Sequence, residues 1–180
     1  MTSGATYKNL LITGLPGVGK TTVIRKLAEA LQPLRPVGFY TDEIREGGIR
    51  KGFRLTGLDG SVGILSHIDF ASRFRVGKYG VDVPGFERFL QAIDFASPDD
   101  QVVIIDEIGK VEFSSDMFRQ VMTQLLDSEK IVVATIALKA THMIQSIKFR
   151  QDVRLIELTA GTRDQVLSQA LHFIDERLRL

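Results

Sequence analysis

The 180-residue sequence contains no cysteine. This absence excludes a disulfide framework, a cysteine-ligated metal site and a cysteine nucleophile. A chain without cysteine suits a reducing compartment, and we expect a cytoplasmic protein.

The sequence also lacks a long hydrophobic segment. Its longest apolar run covers residues 131–138, whereas a membrane-spanning helix needs about 20 such residues. Residues 1–5 show no charged stretch followed by an apolar one, so no signal peptide is predicted. We therefore expect no interaction with a membrane.

An excess of charge of one sign is missing as well. The 23 basic and 22 acidic residues give a net charge of +1, and 44% of the residues are apolar. This balance is typical of a globular protein and provides no bulk attraction to nucleic acid, so strong nucleic-acid binding is not expected. The length predicts a single domain over residues 1–180. We expect a monomer, although the sequence leaves an oligomer open.

One segment carries a specific chemical signal. Gly14-Leu-Pro-Gly-Val-Gly-Lys20-Thr21 fills every fixed position of the Walker A pattern G-x-x-x-x-G-K-[ST]. An apolar run at residues 9–13 precedes it, and a segment with helical periodicity at residues 23–31 follows. Because the motif requires a strand, a glycine-rich turn and a helix in this order, the sequence predicts a nucleoside-triphosphate site.

Each residue type in this loop has a physical role. Gly14, Gly17 and Gly19 permit a curved backbone whose N–H groups face a phosphate, at the positive end of a helix. Lys20 is expected to reach the β- and γ-phosphates, and the Thr21 hydroxyl to hold Mg²⁺, the predicted cofactor. The predicted nucleotide contacts from this loop are Gly14, Leu15, Pro16, Gly17, Val18, Gly19, Lys20, Thr21 and Thr22.

A second motif supplies two carboxylates. Residues 102–105 are apolar and lead directly into Asp106 and Glu107, as in a Walker B strand. Asp106 is expected to hold Mg²⁺, directly or through water. Glu107 is expected to orient an attacking water or accept its proton, which favours hydrolysis over simple binding.

Further polar residues could either contribute to the nucleotide site or have an ordinary structural role. Thr135 could contact the γ-phosphate or simply end a strand, and Arg163 could stack on a base or be solvated. An arginine that stabilises the transferring phosphoryl group could be one of four: Arg45, Arg50, Arg54 and Arg150. Each of them could instead be a solvated surface residue. The chain lacks an Asn/Thr-Lys-x-Asp guanine-reading element, so low base selectivity is predicted.

The order of the patterns predicts the fold. Apolar strands at residues 10–13, 37–41, 102–106, 131–135 and 153–158 alternate with amphipathic helices. This alternation predicts a three-layer α/β/α fold with a mostly parallel sheet. Turn signals within residues 37–66 predict a short antiparallel meander, and residues 66–83 are interpreted as an ordered surface loop near the site.

These residues together resemble the small THEP-type nucleoside-triphosphatases. Besides the loop at residues 14–22, the resemblance rests on Gly38-Phe-Tyr-Thr-Asp-Glu-Ile-Arg45, residues 48–53, 77–81 and 106–112, and the tail positions 148–150 and 162–164. Members of this family often have Asn where this chain has Thr162. The resemblance covers nearly the whole chain.

The resemblance implies a single P-loop domain related to RecA-like and nucleotide-kinase folds. It also implies slow, Mg²⁺-dependent hydrolysis of ATP, GTP and other nucleoside triphosphates to the diphosphate. The matching site positions are Gly17, Gly19, Lys20, Thr21, Asp106 and Glu107.

Three functions are compatible with these motifs. The leading hypothesis is a nucleoside-triphosphatase in which Lys20 and Glu107 are catalytic. The alternative is a small-molecule or nucleotide kinase that uses the same P-loop, with an acceptor pocket formed by residues 45–78. A third hypothesis is a nucleotide-dependent switch with a low intrinsic rate.

Overall fold

A computed structural model of the protein describes residues 7–139 and 141–179. Residues 1–5, from which no signal peptide was predicted, lie outside the described residues. A mixed sheet of nine strands has the order β5-β6-β4-β3-β2-β7-β8-β1-β9. The strands are β1 Asn9–Thr13, β2 Val37–Glu46, β3 Ile49–Gly57, β4 Val62–His67, β5 Arg75–Val76, β6 Tyr79–Val81, β7 Val102–Ile108, β8 Ile131–Ile136 and β9 Val153–Glu157. The helices are α1 Lys20–Ala30, α2 Val83–Ala92, α3 Asp116–Asp127, α4 His142–Lys148 and α5 Arg163–Leu178.

The five strands expected from the apolar runs form the parallel half of the sheet. Strands β2, β7, β8, β1 and β9 pair in that order, all parallel. Every residue of β1 and β8 is buried, as the continuous Val, Ile and Leu content of a doubly covered sheet requires. Because parallel strands end at one edge, residues that follow β1, β7 and β8 meet there.

The antiparallel half is larger than the predicted meander over residues 37–66. Strands β3 and β4 continue from β2 as expected, but β6 and β5 then add a further hairpin at the sheet edge. The expectation that residues 66–83 form a surface loop was therefore wrong in part. The hairpin strands contain only three and two residues, too few to produce a readable alternation of apolar and polar residues.

Helices cover both faces of the sheet. Helices α1 and α5 pack on one hydrophobic cluster that includes Leu10 and Ile104, whereas α2 and α3 pack on another that includes Leu11 and Ile105. Consecutive strand residues point to opposite faces, which accounts for this division. The α/β architecture with helices on both faces is thus observed. The short helix α4 was not predicted. No helix within the described ranges is both long and apolar enough to cross a membrane.

Phenylalanine side chains fill the layer beneath the antiparallel half. Phe39 on β2 is fully buried, and its ring packs edge-on against Phe86, Phe89 and Phe118 at centroid distances of 6.0, 5.6 and 6.4 Å. These contacts join β2 to α2 and α3. Because β2 leads directly into the site described below, this cluster fixes one wall of that site.

Replacement of Phe39 by alanine should therefore lower the free energy of unfolding by about 3–5 kcal/mol, since it removes a fully buried ring. Phe149, with 78% of its surface exposed, provides the matched control, and Phe149→Ala should change stability by less than about 0.5 kcal/mol. Urea denaturation followed by circular dichroism measures both. Equal losses in the two variants would contradict the assigned core.

Candidate active site

The Walker A segment forms the loop between β1 and α1. Gly19 is the N-cap of α1 with φ 106°, a backbone conformation that favours glycine. A side chain at Gly19 would also meet the Arg163 guanidinium, whose Nε would lie 2.8 Å from the added Cβ. The glycine at this position thus permits both the turn into the helix and the close approach of Arg163.

A cavity of about 750 Å³ lies beside this loop. From the loop and α1 it is lined by Gly14, Leu15, Pro16, Gly17, Gly19, Lys20, Thr21, Thr22 and Arg25. From the other elements it is lined by Thr41, Asp42, Glu43, Arg50, Phe53, Glu107, Ala137, Leu138 and Lys139. Its size matches a small-molecule site. Three strand ends and the first antiparallel hairpin therefore share one concave surface.

Val18 is the predicted loop contact that does not line this cavity. Its N–H donates to the Leu15 carbonyl at 3.2 Å, and its side chain packs on a hydrophobic cluster that includes Ile12 and Leu158. The Val18 carbonyl accepts a hydrogen bond from Arg163 Nε at 2.8 Å. Val18 thus connects the loop to the protein interior and to α5.

Lys20 is buried at the start of α1. Its ammonium group donates to the carbonyls of Gly14 and Leu15 at 3.1 and 3.3 Å. The lysine side chain is therefore folded over the loop, where a phosphate held by the loop backbone would meet it.

Asp106 is the most connected polar group of the site, with only 1% of its surface exposed. Its Oδ2 accepts a hydrogen bond from the Thr21 hydroxyl at 2.7 Å, and also from the Thr41 hydroxyl at 3.3 Å and the Thr41 N–H at 3.5 Å. Its Oδ1 accepts from the Thr135 hydroxyl at 2.6 Å. The carboxyl group thus joins α1, β2, β7 and β8.

Burial raises the pKa of Asp106, and the hydroxyl donors offset this effect only in part. A carboxylate without a neighbouring cation is costly in such a place. The oxygen-only donor set of Asp106 and Thr21 fits Mg²⁺, a hard cation that usually takes one or two protein ligands beside phosphate and water. No group of three or more potential ligands occurs among the described His, Asp and Glu residues.

Thr135 lies fully buried on β8, one residue before the strand ends. Its hydroxyl is engaged by Asp106, and Thr135 is not among the residues that line the cavity. The strand-end position is observed, and a phosphate contact of Thr135 stays a prediction. Thr135 orients the Asp106 carboxyl, and so does Thr41, which sequence reasoning did not identify.

Glu107 follows Asp106 on β7 and lines the cavity. Burial raises the pKa of its carboxyl, the positive charge of Lys20 lowers it, and the negative charge of Asp106 raises it again. The net effect is a higher pKa than usual, which makes Glu107 a better proton acceptor than a solvated carboxylate.

A second buried carboxyl group, that of Glu112, lies near Glu107. A Cβ built on Gly109 would lie 2.9 Å from Glu112 Oε2 and 3.6 Å from Glu107 Oε1, so the two carboxyl groups flank the same glycine. Burial, together with the charge of Glu107, raises the pKa of Glu112 to about 8. The sequence placed Glu112 after the Walker B strand but gave no sign of its burial.

The four arginine candidates occupy different places. Arg50 lines the cavity, but Arg45 and Arg54 do not. Arg150 pairs with Asp127 and Asp152 at 2.8 Å each, before the start of β9 and thus at the opposite edge of the sheet from the loop. Arg25, which was not a candidate, also lines the cavity.

Arg163 lies at the start of α5, on the other side of the loop. Together with Thr22, Lys26 and Gly161 it lines a smaller cavity of about 360 Å³. This cavity and the larger one share Thr22 in their linings. The base contact of Arg163 stays a prediction.

The pKa of Glu112 predicts a pH dependence of stability. The unfolded carboxyl group ionises near pH 4.5, whereas the folded one keeps its proton up to about pH 8. The stabilisation is therefore complete below pH 4.5 and is lost as the pH rises to 8. Glu112→Gln cannot titrate, so wild-type stability relative to this variant should fall steadily between pH 5 and pH 8.

Urea denaturation at pH 5, 6, 7 and 8 measures this difference. The exposed Glu129 gives the control Glu129→Gln, for which the difference should stay nearly constant over the same range. A constant difference for Glu112→Gln would show that Glu112 is not held in its protonated form.

Comparison with known proteins places the chain in a family. A family model described as NTPase matches residues 9–171. Nucleoside-triphosphatase THEP1 of Thermotoga sp. (strain RQ2) is 45% identical over 163 residues, which cover 90% of this chain and 92% of that protein. The human cancer-related nucleoside-triphosphatase is 38% identical over 176 residues, which cover 89% and 93%.

The fold agrees with these sequence matches. The crystal structure of THEP1 from Aquifex aeolicus superposes with a TM-score of 0.80 at 37% identity, covering 90% of this chain and 96% of that one. The matches extend over the loop, the Walker B strand and the antiparallel half alike. The chain therefore belongs to the THEP1 family of NTPases.

Proposed function

We propose that this protein is a Mg²⁺-dependent nucleoside-triphosphatase that converts ATP, GTP and other nucleoside triphosphates to the diphosphate and phosphate. The observation that supports this most directly is the shared cavity of Lys20, Thr21 and Glu107, with Asp106 bonded to Thr21 behind it. The proposal includes a P-loop NTPase fold, related to RecA-like and nucleotide-kinase domains. A single domain in the cytoplasm is part of the proposal.

The loop and its lysine would bind the triphosphate. Backbone N–H groups of the loop and the N-terminal end of α1 favour negative charge at the same place. Lys20 now donates to two loop carbonyls, and these bonds would be exchanged for phosphate oxygens. Thr21 and Asp106 would hold Mg²⁺, which neutralises phosphate charge when bound.

Glu107 would act on the attacking water. The water oxygen forms a bond to the γ-phosphorus, its proton passes to the Glu107 carboxylate, and the bond to the β-phosphate oxygen breaks to release the diphosphate. The raised pKa of Glu107 improves this proton transfer, because a base works best with a pKa near the working pH. Positioning and electrostatics supply the rest of the catalysis.

Low base selectivity is expected because the predicted contacts are mainly with the phosphates and not with the base. The loop would contact phosphates, which all nucleoside triphosphates share, and the chain has no Asn/Thr-Lys-x-Asp guanine-reading element. The proposal therefore includes ATP, GTP, CTP and UTP as substrates.

The kinase alternative also has an observation in its favour. The cavity continues past the loop onto Thr41, Asp42, Glu43, Arg50 and Phe53 of the antiparallel half. A phosphate acceptor other than water has space there. The two functions differ in whether phosphate release requires such an acceptor.

Phosphate release from the four nucleoside triphosphates, with Mg²⁺ and water alone, tests the proposal. Glu107→Gln should bind nucleotide as the wild type does and lose about 10²–10⁴ in kcat, because it removes the proton acceptor. Lys20→Ala should lose nucleotide binding as well. The exposed residues Glu176 and Lys110 provide the controls Glu176→Gln and Lys110→Ala, which should keep wild-type turnover.

The same assay with a panel of nucleosides and nucleotides as phosphate acceptors distinguishes the triphosphatase from the kinase. Release without any acceptor supports the triphosphatase. No release with water, together with a phosphorylated acceptor, would show that the protein is a kinase. Wild-type turnover in Glu107→Gln would remove the role given to Glu107.

A further inference from the structure

Arg50 stands apart from the other arginines near the site. It lies on β3 and lines the cavity that contains Lys20 and Glu107. Arg54, on the same strand, contacts Asp42 at 3.5 Å and does not line the cavity. Arg25 lines it but also borders a neighbouring cavity of about 700 Å³, and its guanidinium donates to Asp42 at 3.2 Å.

The Arg50 guanidinium is held from several sides. Nε donates to the Tyr79 hydroxyl at 2.9 Å, and Nη1 donates to Glu43 Oε1 at 2.8 Å. The group also lies over the rings of Phe53 and Tyr79, at 5.1 and 5.5 Å from their centroids. Among the described residues, Nη2 has no hydrogen-bond partner. A fixed guanidinium with free donors needs little reorganisation to bind an anion.

Glu43 pairs with a second arginine besides Arg50. Glu43 Oε2 also accepts from Arg45 Nε at 2.8 Å, so two arginines share a single carboxylate. The hydrogen bond from Arg50 is the main cause that lowers the pKa of Glu43, which keeps that carboxylate ionised. The group of Arg45, Glu43 and Arg50 therefore carries a net charge of +1 at neutral pH, with Arg45 outside the cavity lining. The neighbouring Asp42 lines the cavity and pairs with Arg25 and Arg54.

The position of Tyr79 explains why the edge hairpin belongs to the site. Tyr79 is on β6 and is buried, and its ring packs edge-on against Phe53 at 5.6 Å. Through its hydroxyl it determines the direction of the Arg50 guanidinium. The hairpin that the sequence did not reveal thus supports a side chain in the cavity wall.

We propose that Arg50 contacts the negative charge that develops on the transferring γ-phosphoryl group, and that Tyr79 and Glu43 are positioning residues for it. This inference rests on the proposed triphosphatase activity. It assigns the charge-stabilising role to an arginine of the same chain, so the enzyme needs no partner protein to supply one.

Steady-state kinetics of Arg50→Ala and Arg50→Lys test the inference. Both variants should lose about 10³-fold or more in kcat with little change in KM, because the contact is made chiefly in the transition state. Lysine should not restore activity, since it cannot replace the planar fork. The control Arg54→Ala, on the same strand, should keep wild-type kcat.

Binding measurements separate this role from a structural one. The affinity for the diphosphate with Mg²⁺ should be unchanged in Arg50→Ala, whereas the affinity for the diphosphate with Mg²⁺ and aluminium fluoride, which imitates the transferring group, should fall with kcat. Tyr79→Phe keeps the ring and removes one hydrogen bond, so it should lose about tenfold in kcat alone. Its effect should vanish in the Arg50→Ala background.

Three outcomes would overturn the inference. One is an Arg50→Ala enzyme within about threefold of wild-type kcat. Another is an equal loss of diphosphate and transition-state-analogue binding, which would indicate a structural role. A third is a large loss in Arg25→Ala but not in Arg50→Ala. Wild-type protein that releases no phosphate would instead reject the proposed function, and the inference with it.

Discussion

The buried carboxyl group of Asp106 is the interaction on which the site depends. It accepts hydrogen bonds from Thr21, Thr41 and Thr135. These residues lie on the first turn of α1 and on β2 and β8, the two strands that flank β7. A buried carboxyl group that lost these donors would be costly, so the four elements are held in one relative position. The Walker A loop, strand β7 and the start of the antiparallel half are therefore fixed together.

Two halves of one sheet contribute different parts of the site. The parallel half brings its strand ends to one edge and supplies the Walker A loop and the adjacent carboxyl groups of Asp106 and Glu107. The antiparallel half supplies the opposite wall, where Glu43 and Arg50 line the same cavity. Strand β2 belongs to both halves, since it pairs with β7 in parallel and with β3 in antiparallel fashion. The buried Phe39 on β2 anchors this junction in the core.

The sequence was most informative where a long apolar run or a fixed motif occurs. The five apolar runs that alternate with helices predicted the parallel half, because continuous Val, Ile and Leu residues suit a strand buried on both faces. Short elements such as β5 and α4 carry too few residues for a period to show. The partners of Thr135 and the burial of Glu112 depend on long-range packing, so no local pattern could reveal them. Four arginines looked equivalent until the fold placed only Arg50 in the cavity.

The central claim is that Asp106 organises the site and holds Mg²⁺ together with Thr21. Calorimetric titration of a non-hydrolysable ATP analogue, with and without Mg²⁺, tests it in the wild type and in Asp106→Asn. The account predicts that Mg²⁺ tightens wild-type binding by at least about tenfold, and that the folded Asp106→Asn variant loses this gain but still binds the analogue without Mg²⁺. An Asp106→Asn variant with the full wild-type gain from Mg²⁺ would contradict the account.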